Sequence, residues 1–367
     1  MSNNLNPQIS VVMTVYNGAR FLKETMESLL NQTFQDFELI IVDNCSQDDS
    51  VAIIRSYHDP RIKLIVNEKN LGQTKALNVG LNICRGQLIA RMDADDMAVP
   101  KRLELQLNFL EQHTEIAAVG GWCQDINAEG KLLRIYRTAT DHRVIRYYLM
   151  GCGDLTEWTI THPTVMIRSE VLGKIGFYKE EAGGEYNYPQ DYEYWRRMIA
   201  HGYAIANMPE ILLKYRIIEG SESRSGYDQL LNHRMNITRA QILRYCPDFK
   251  EHELAALVNM LEYLLQTSAE HGAQVFDYFD RFFKAYSLND DPRLNKYYNR
   301  RIKNYYLPVL FQTNWAFVWK WLLSNLWLDP LSILDIKLLK KMMKGFLTGM
   351  IGSKSTNAFK KKVLLHR

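Results

Sequence analysis

Three carboxylates within four residues are the feature of this sequence best suited to chemistry. Asp93, Asp95 and Asp96 follow the apolar run at residues 87–90 and precede Pro100. An apolar strand that ends at clustered acids delivers them to the carboxyl edge of a sheet, where open α/β folds bind ligands. Because neighbouring part-buried carboxylates repel each other, the cluster predicts a divalent cation that bridges to a phosphate. The alternative is that Asp95 or Asp96 caps a helix near Pro100, which accounts for one acid but not for three.

Polar residues also follow two other predicted strands. Thr14 and Tyr16 lie at the end of a strand at residues 9–15, and Asp43 ends a strand at residues 37–42. Since the carboxyl ends of parallel strands meet at one edge, we expect these residues beside the acidic cluster. Tyr16 is suited to stack on a base, and Asp43 to accept a hydrogen bond from a base imide N–H. The alternatives are turn chemistry for Tyr16 and a helix N-cap for Asp43.

The elements that must position these residues are indicated by apolar runs alternating with amphipathic segments, which is typical of βαβ units around a mostly parallel sheet. No strand-to-helix turn carries GxGxxG or GxxxxGKS/T, so neither a dinucleotide fingerprint nor a P-loop is present. The first half is predicted to contain strands at residues 9–15, 37–42, 62–66, around 88 and 116–122, and helices at residues 19–31, 50–57, 74–84 and 101–112.

The second half is less regular. In order, it is predicted to contain a strand at residues 161–168, a helix from Asp191 to about Gly202, short strands near Ala204 and Leu212, and mostly helix beyond Ser225. This length and pattern predict two domains, an α/β domain at residues 1–225 and an all-helical C-terminal region at residues 226–367.

Charge is unevenly divided along the chain. The net charge is +4, yet residues 301–367 hold twelve Lys and Arg against two Asp, which leaves 33 basic and 39 acidic residues before them. An acidic body with a basic tail argues against a nucleic-acid-binding protein. Five Cys without a CxxC argue against a zinc site or disulfide framework and favour a reducing compartment. The polar residues 1–8 and the lack of an apolar run of about 18 residues predict neither signal peptide nor membrane span.

Four segments together resemble the family 2 glycosyltransferases. These are VVMTVYN at residues 11–17, FELIIVD at 37–43, NLGQTKALN at 70–78 and ARMDADD at 90–96, of which the last is the most discriminating. The resemblance covers roughly residues 8–218. It implies the GT-A fold of nucleotide-diphospho-sugar transferases, an α/β fold with a mostly parallel central sheet.

The resemblance also implies how a nucleotide-sugar donor is bound. It places Thr14, Tyr16 and Asp43 on the base and ribose, and the segment that begins near Gly72 close to the nucleotide sugar. Lys75 is then expected near the diphosphate, and the alternative is a solvated helix lysine.

For the acidic motif, the resemblance implies a metal site. Asp95 is the direct ligand of Mn²⁺ or Mg²⁺, and Asp93 contacts the ribose or sugar and lies beside the same metal. Asp96 is left as the expected helix cap. The family usually has a histidine at the position of Ile218, so water or phosphate oxygens are expected to complete the metal shell. Arg216 is expected to contact a phosphate or a loop.

On the acceptor side, the resemblance implies that Asp191 is the catalytic base, preceded here by Gln190 where the family usually has glutamate. One carboxylate within reach of the acceptor hydroxyl suffices for an inverting transfer. Glu193 is the rival base, but two residues along a helix it points about 200° away. His162 resembles a residue near the acceptor, and a purely structural histidine is the alternative.

The C-terminal tail combines tryptophan with lysine. Four Trp lie within residues 315–327, and a predicted helix at residues 331–351 places Lys337, Lys340, Lys341 and Lys344 on one face. This pattern is typical of a protein lying in a membrane interface, whereas the alternative is a helical subdomain with solvated lysines.

Together these features predict an inverting glycosyltransferase that moves a sugar from a UDP-sugar to a saccharide acceptor, lipid-linked, in surface polysaccharide biosynthesis. We expect a cytoplasmic protein, peripheral on the cytosolic face of the inner membrane, with no nucleic-acid partner. A polyprenyl-phosphate sugar synthase and a non-catalytic carbohydrate- or membrane-binding relative are the alternatives. A sugar-phosphate nucleotidyltransferase is disfavoured because the turn after the first strand is not a glycine-rich phosphate loop.

Overall fold

The computed structural model describes residues 6–149, 159–180, 189–218 and 227–263, together with residues 278, 279, 281, 282 and 285. The chain divides into two compact units. The first comprises residues 1–150 and 155–234, and the second comprises residues 151–154 and 235–367.

The first unit is built on a nine-stranded mixed sheet, with the spatial order β3-β2-β1-β4-β8-β6-β9-β5 and with β7 paired to β6. Strands β1, β2, β3 and β4 pair in parallel, as do β6 and β9, whereas β5, β7 and β8 pair antiparallel to their neighbours. The strands are β1 Ile9–Val15, β2 Phe37–Asp43, β3 Ile62–Val66, β4 Leu88–Asp93, β5 Met97–Ala98, β6 Ile116–Ile126, β7 Leu132–Tyr136, β8 Met166–Arg168 and β9 Ala204–Arg216. The predicted α/β architecture with a mostly parallel central sheet is confirmed.

Helices flank this sheet. They are α1 Ala19–Leu30, α2 Ser50–Arg55, α3 Gln73–Asn82, α4 Arg102–Gln112, α5 His142–Leu149, α6 Ser169–Ile175 and α7 Gln190–Ala200. Further along the chain, α8 comprises Tyr227–Tyr245 and α9, in the second unit, comprises Glu251–Tyr263. The sequence pattern predicted all the helices up to α4 to within about two residues. It did not predict the short elements β5, β7, α5 and α6, because each is too short to show a clear period.

The central strands read as continuous apolar runs because both of their faces are buried. Along β2, Leu39 and Ile41 belong to the large core, whereas Ile40 and Val42 face the smaller cluster that contains Ala76 of α3. This alternation is the two-residue period of a strand. Helix α3 packs very close to the sheet at Gly80, where an added Cβ would lie 2.7 Å from Val12 Cγ1.

Two predictions for the second half were wrong. Residues 161–168 are not one strand, because His162–Thr164 form a 3₁₀ turn closed by the Thr164 N–H donating to Thr161 O, and only Met166–Arg168 pair in the sheet. The two short strands predicted near Ala204 and Leu212 are one strand, β9. Pro209 and Glu210 form an irregularity within it, since the register with β6 jumps there.

In the second unit, the helical prediction agrees with the part that the structure describes. Ile242, Leu254, Leu257 and Leu261 are buried, and Arg239 forms an ion pair with Glu251. The predicted helix at residues 331–351 and the tryptophan-rich segment at residues 315–327 lie outside the described residues. Among the helices that are described, none has both the length and the apolar character needed to span a bilayer.

Glu38 on β2 is predicted to stabilise the sheet strongly. Burial alone would raise its pKa, but hydrogen bonds from Lys63, Ser10 and Arg85 outweigh burial and leave the pKa lowered. We expect Glu38→Gln to reduce the free energy of unfolding at pH 7 by about 1–3 kcal/mol, because it weakens the charge-assisted hydrogen bonds of Glu38 while Lys63 and Arg85 stay partly solvated.

The pH dependence of that loss follows from the sign of the shift. A lowered pKa in the folded chain stabilises it above the unfolded pKa, 4.5. The difference between the wild-type chain and Glu38→Gln should therefore shrink as the pH falls below 4.5. Urea denaturation at pH 7 and pH 4 measures it, and an equal difference at both pH values would contradict the prediction.

Candidate active site

Three strand ends that carry predicted site residues lie side by side. In the β1–β4 register Thr14 is directly opposite Asp93, and in the β1–β2 register Val15 is opposite Asp43. The order β2-β1-β4 therefore brings these residues to one carboxyl edge of the sheet. This is the edge at which open α/β folds bind their ligands.

The turn after β1 is tied to the loop after β2. The backbone N–H of Asn17 donates to Ser46 Oγ at 2.9 Å, and Asn17 Oδ1 accepts from the Gln47 N–H at 2.8 Å. Asn17 and Cys45 both have positive φ, at 50° and 67°, which is a rare backbone conformation for residues with a side chain. These bonds hold the two turns in one fixed arrangement at the sheet edge.

Tyr16 and Asp43 have the exposure expected for their proposed contacts. Tyr16 is 52% exposed, a high value for an aromatic side chain, and its ring is accessible for stacking. Asp43 is buried, and its Oδ2 accepts a hydrogen bond from the Ser46 N–H at 3.0 Å. Its Oδ1 is buried and has no hydrogen-bond partner among the described residues, so this acceptor is left unsatisfied.

Asn44 organises the neighbouring loop, a role that the sequence did not suggest. Its Nδ2 donates to Asn70 Oδ1 at 2.7 Å, and its Oδ1 accepts from the Leu71 N–H at 2.9 Å. Asn70 Oδ1 also accepts from the Gly72 N–H at 2.8 Å. Gly72 has a φ of +81°, which favours glycine, and α3 starts immediately after it.

Lys75 lies in the first turn of α3. Within the described part of the chain it forms no ion pair, and it is part-buried. Its charge is thus available to an anion at the start of this helix. Its expected place near the diphosphate stays a prediction.

Asp95 and Asp96 carry the electrostatic signature of a crowded acidic cluster. Burial and then the charge of Asp93 raise the pKa of Asp95 to about 6. Burial and the same neighbour raise the pKa of Asp96 well above its ordinary value. The prediction that Asp96 caps a helix was wrong. Its Oδ1 accepts a hydrogen bond from the Arg216 backbone N–H at 2.8 Å, while α4 starts only at Arg102.

Arg91 is the cation beneath this cluster. It lies two residues before Asp93 on β4, so both side chains point to the same face of the strand, and they form an ion pair. Arg91 is 5% exposed. Its charge opposes the rise in the pKa of Asp95 and of Asp191 that burial causes.

Arg216 holds the acidic loop in place from β9. Its Nε donates to Asp95 O at 2.9 Å, its Nη1 to Ala128 O at 2.7 Å and its Nη2 to Glu24 Oε2 at 2.7 Å. The guanidinium also stacks on the ring of Phe21, 4.3 Å from its centroid. Of the two roles predicted for Arg216, the loop contact is the one observed.

Removing this arginine should loosen the loop that carries Asp95. We expect Arg216→Ala to reduce the free energy of unfolding by about 2–4 kcal/mol, because several carbonyls lose a buried donor. Arg216→Lys should recover only part of the loss, since an ammonium cannot reach all three acceptors at once. Urea denaturation measures this. Arg20→Ala is the control, because Arg20 stacks on the same Phe21 ring from an exposed position, and an equal loss in both variants would contradict the prediction.

The acidic cluster fits a divalent ion whose remaining ligands come from a bound phosphate or from water. In the portion of the chain that is described, no group of three or more Asp, Glu, His or Cys could hold a metal unaided. Asp93 is compensated by Arg91, whereas Asp95 forms no ion pair with any described residue and is part-buried. A hard cation suits such oxygen donors and takes its remaining ligands from phosphate or water. Asp95, with Asp93 beside it, could therefore hold Mn²⁺ or Mg²⁺.

Asp191 lies in the first turn of α7. Its Oδ1 accepts a hydrogen bond from the Tyr192 N–H at 2.8 Å, and burial raises its pKa. Glu193, the rival, is engaged elsewhere, with Lys179 at 3.3 Å and with Arg197 at 3.0 Å. A carboxylate with a raised pKa and no ion pair to a described residue is better suited to take a proton than one held between two cations.

His162 lies in a buried aromatic cluster. Its Nε2 is 2.9 Å from the Tyr178 hydroxyl, and its ring meets Trp195 edge-on. Burial lowers its pKa well below the ordinary value, so the imidazole is neutral. Tyr178 in turn stacks on Tyr194 of α7, with ring centroids 4.4 Å apart. These contacts agree with the structural alternative for His162 and show no open position on its ring nitrogen Nε2.

Comparison with known proteins agrees with this arrangement. The family model described as Glycosyl transferase family 2 matches residues 10–176. An uncharacterized glycosyltransferase of Methanocaldococcus jannaschii is 38% identical over 216 residues, which are 58% of this chain and 71% of that protein. The O-antigen biosynthesis glycosyltransferase WbnJ of Escherichia coli is 32% identical over 232 residues, or 61% of this chain and 85% of WbnJ.

A solved structure shows the same fold. S. aureus TarS, residues 1–349 in complex with UDP-GlcNAc, superposes with a TM-score of 0.51 over 93% of this chain and 90% of that one, at 19% identity. At this identity the similarity concerns the fold alone. The family match, the relatives and the sheet with its acidic edge agree, and the chain belongs to glycosyl transferase family 2.

Proposed function

We propose that this glycosyltransferase is an inverting enzyme that transfers a sugar from a uridine diphosphate donor to a saccharide hydroxyl, with Mn²⁺ or Mg²⁺ at Asp95. The observation that carries the proposal is the β2-β1-β4 register, which brings Asp43, Thr14 and Asp93 to one edge. The orphaned Asp43 Oδ1 offers the acceptor that a uracil N–H needs, and Tyr16 offers a stacking surface. TarS, of similar fold, binds UDP-GlcNAc, so UDP-GlcNAc is the first donor to test.

The residues of this chain divide the chemistry between donor and acceptor. A divalent ion, when bound, stabilises the charge of the departing diphosphate. Asp93 and Asp95 bind on the donor side, and Lys75 at the start of α3 adds a positive charge there. Asp191 removes the proton from the acceptor hydroxyl, which attacks the anomeric carbon on the face opposite the leaving group. Single displacement inverts the anomeric configuration. His162 and Gln190 are assigned to the acceptor side, His162 by supporting the wall of the site.

A donor screen tests the proposed reaction. The full chain is incubated with individual nucleotide sugars and Mn²⁺, and release of the free nucleoside diphosphate is measured with and without EDTA. We expect release from one or a few UDP-sugars, and none after EDTA. Release from no nucleotide sugar, or release that EDTA does not affect, would contradict the proposal.

We further propose that the acceptor is lipid-linked and that the basic tail brings the enzyme to an anionic membrane surface, in surface polysaccharide biosynthesis. The O-antigen role of the E. coli relative supports the pathway class. Four lysines on one predicted face each contribute about 1 kcal/mol near an anionic leaflet. In vesicle flotation, the full chain should bind vesicles containing phosphatidylserine and not neutral phosphatidylcholine vesicles. Replacing Lys337, Lys340, Lys341 and Lys344 with Glu should abolish binding, and unchanged binding would contradict the proposal.

A further inference from the structure

The first residues of two helices meet at the candidate active site. Gln73 starts α3 and Gln190 starts α7, and Gln190 Nε2 donates to Gln73 Oε1 at 2.8 Å. Gln73 follows Gly72, on the donor side, whereas Gln190 precedes Asp191, the proposed base. One hydrogen bond thus joins the donor helix to the helix that carries the base.

A second pair of hydrogen bonds joins the middle of α3 to Tyr178. Asn78 Nδ2 donates to Tyr178 O at 2.8 Å, and Asn78 Oδ1 accepts from the Tyr178 N–H at 3.1 Å. The Tyr178 ring stacks on Tyr194 of α7, with centroids 4.4 Å and planes 30° apart. Helix α3 is therefore connected to α7 directly at Gln190 and indirectly through Tyr178.

The chemistry of the Gln190–Gln73 hydrogen bond depends on the residue at position 190. With two neutral amides, one donates and the other accepts, so the bond forms without charge. A glutamate at position 190 could still accept from the Gln73 amide after that amide rotates, but it would place a second negative charge next to Asp191. An alanine can do neither. Substitutions at this position therefore separate the effect of the hydrogen bond from the effect of charge.

We propose that Gln73 and Gln190, together with Asn78, are positioning residues that couple nucleotide binding at the start of α3 to the placement of Asp191 on α7. This inference rests on the proposed function, because it requires a nucleotide diphosphate beside Gly72. Binding of the donor orders α3. The Gln190–Gln73 and Asn78–Tyr178 hydrogen bonds then restrain the first turn of α7. The base is then held in place when the donor is present.

Hydrogen–deuterium exchange of the full chain with UDP and Mn²⁺ tests the coupling without the unknown acceptor. In the wild-type chain, UDP with Mn²⁺ should slow exchange in α3 and also in residues 190–200. In Gln190→Ala and in Asn78→Ala, the slowing in α7 should fall about three- to tenfold, the size of one neutral hydrogen bond, while that in α3 remains. The double variant should lose it entirely. Gln190→Glu should keep the slowing in α7 that Gln190→Ala loses, whereas a merely structural defect at position 190 would reduce it in both variants.

The controls separate this inference from the proposed function. Gln124→Ala removes a part-buried glutamine from β6, outside both helices, and should leave every exchange rate unchanged. Circular dichroism confirms that each variant is folded. If UDP slows exchange in α7 equally in the wild-type chain and the double variant, the coupling is wrong and the proposed function stands. If UDP slows exchange nowhere in the wild-type chain, the uridine donor is wrong, and the coupling falls with it.

Discussion

Replacing Asp191 with asparagine is expected to lower kcat for transfer by about 10²- to 10⁴-fold, which is the usual contribution of a general base. Asparagine keeps the shape of the side chain and can still accept the Tyr192 N–H, so the start of α7 should be retained. Binding of UDP with Mn²⁺ should be unchanged, because Asp191 is assigned to the acceptor and not to the donor. Transfer kinetics and calorimetric titration of UDP measure the two effects.

The pH dependence provides a second readout for Asp191. Because burial raises its pKa, the wild-type kcat should fall on the acid side at a pH above the ordinary aspartate value of 3.8. The asparagine variant should lack this acid limb. Glu193→Gln is the matched control on the same helix, and it should reduce the melting temperature, since Lys179 and Arg197 lose their partner, while kcat is kept. If kcat falls in Glu193→Gln and is kept in Asp191→Asn, Glu193 is the base. If kcat is kept in both variants, transfer to a phosphate acceptor is favoured.

Replacing Asp95 with asparagine is expected to lower metal-dependent turnover at least about 10²-fold, because the charged ligand of the ion is lost. The same change should stabilise the metal-free chain. Burial and the charge of Asp93 raise the pKa of Asp95 to about 6, so above that pH its charged form is a cost to the folded state. We expect the free energy of unfolding at pH 8 to rise by about 1–3 kcal/mol. The gain should vanish below pH 4, where the carboxyl is protonated in both states.

Loss of activity with a gain in stability is what separates a ligand-binding acid from a structural one. Mn²⁺ with UDP should raise the melting temperature of the wild-type chain more than that of Asp95→Asn. Glu111→Gln, at an exposed position on α4, serves as the control and should change neither turnover nor melting temperature. Full Mn²⁺-dependent turnover in Asp95→Asn would remove this residue from the metal site.

The strands and helices of the sheet were predictable because their signals are local. The apolar runs of β1, β2 and β4 and the acids that end β4 identify both the sheet and its functional edge from sequence. That Thr14 and Asp93 lie opposite each other is a question of register, and only the general rule for parallel strands led us to expect it.

The residues that sequence did not suggest act through contacts distant along the chain. Asn44 contacts residues 67, 70 and 71, and Tyr178 is held by Asn78. Nothing in the local pattern distinguishes these side chains from solvated ones. For Asp96 the local pattern was misleading. Its position before Pro100 resembles a helix cap, whereas in the folded chain it accepts a hydrogen bond from the backbone N–H of Arg216 on β9.

The buried Arg91 is the other residue that the pattern concealed. A charged residue inside an apolar strand reads as an interruption, and its function depends on which acids surround it in the folded chain. Here Arg91 forms an ion pair with Asp93, and its charge opposes the rise in the pKa of Asp191 that burial causes. Residues two apart on a strand share a face, as Arg91 and Asp93 do on β4, but the local pattern does not show which groups from other elements surround Arg91.

Diffraction from crystals of the chain grown with UDP and MnCl₂, recorded near the manganese absorption edge, tests most directly whether the acidic loop and the first turn form one nucleotide pocket. We expect an anomalous peak in contact with a carboxylate oxygen of Asp95 and with the diphosphate, and the uracil ring against Tyr16 with its N–H on Asp43. A manganese ion bound away from Asp95, or a uracil bound away from the β1 and β2 turns, would contradict it.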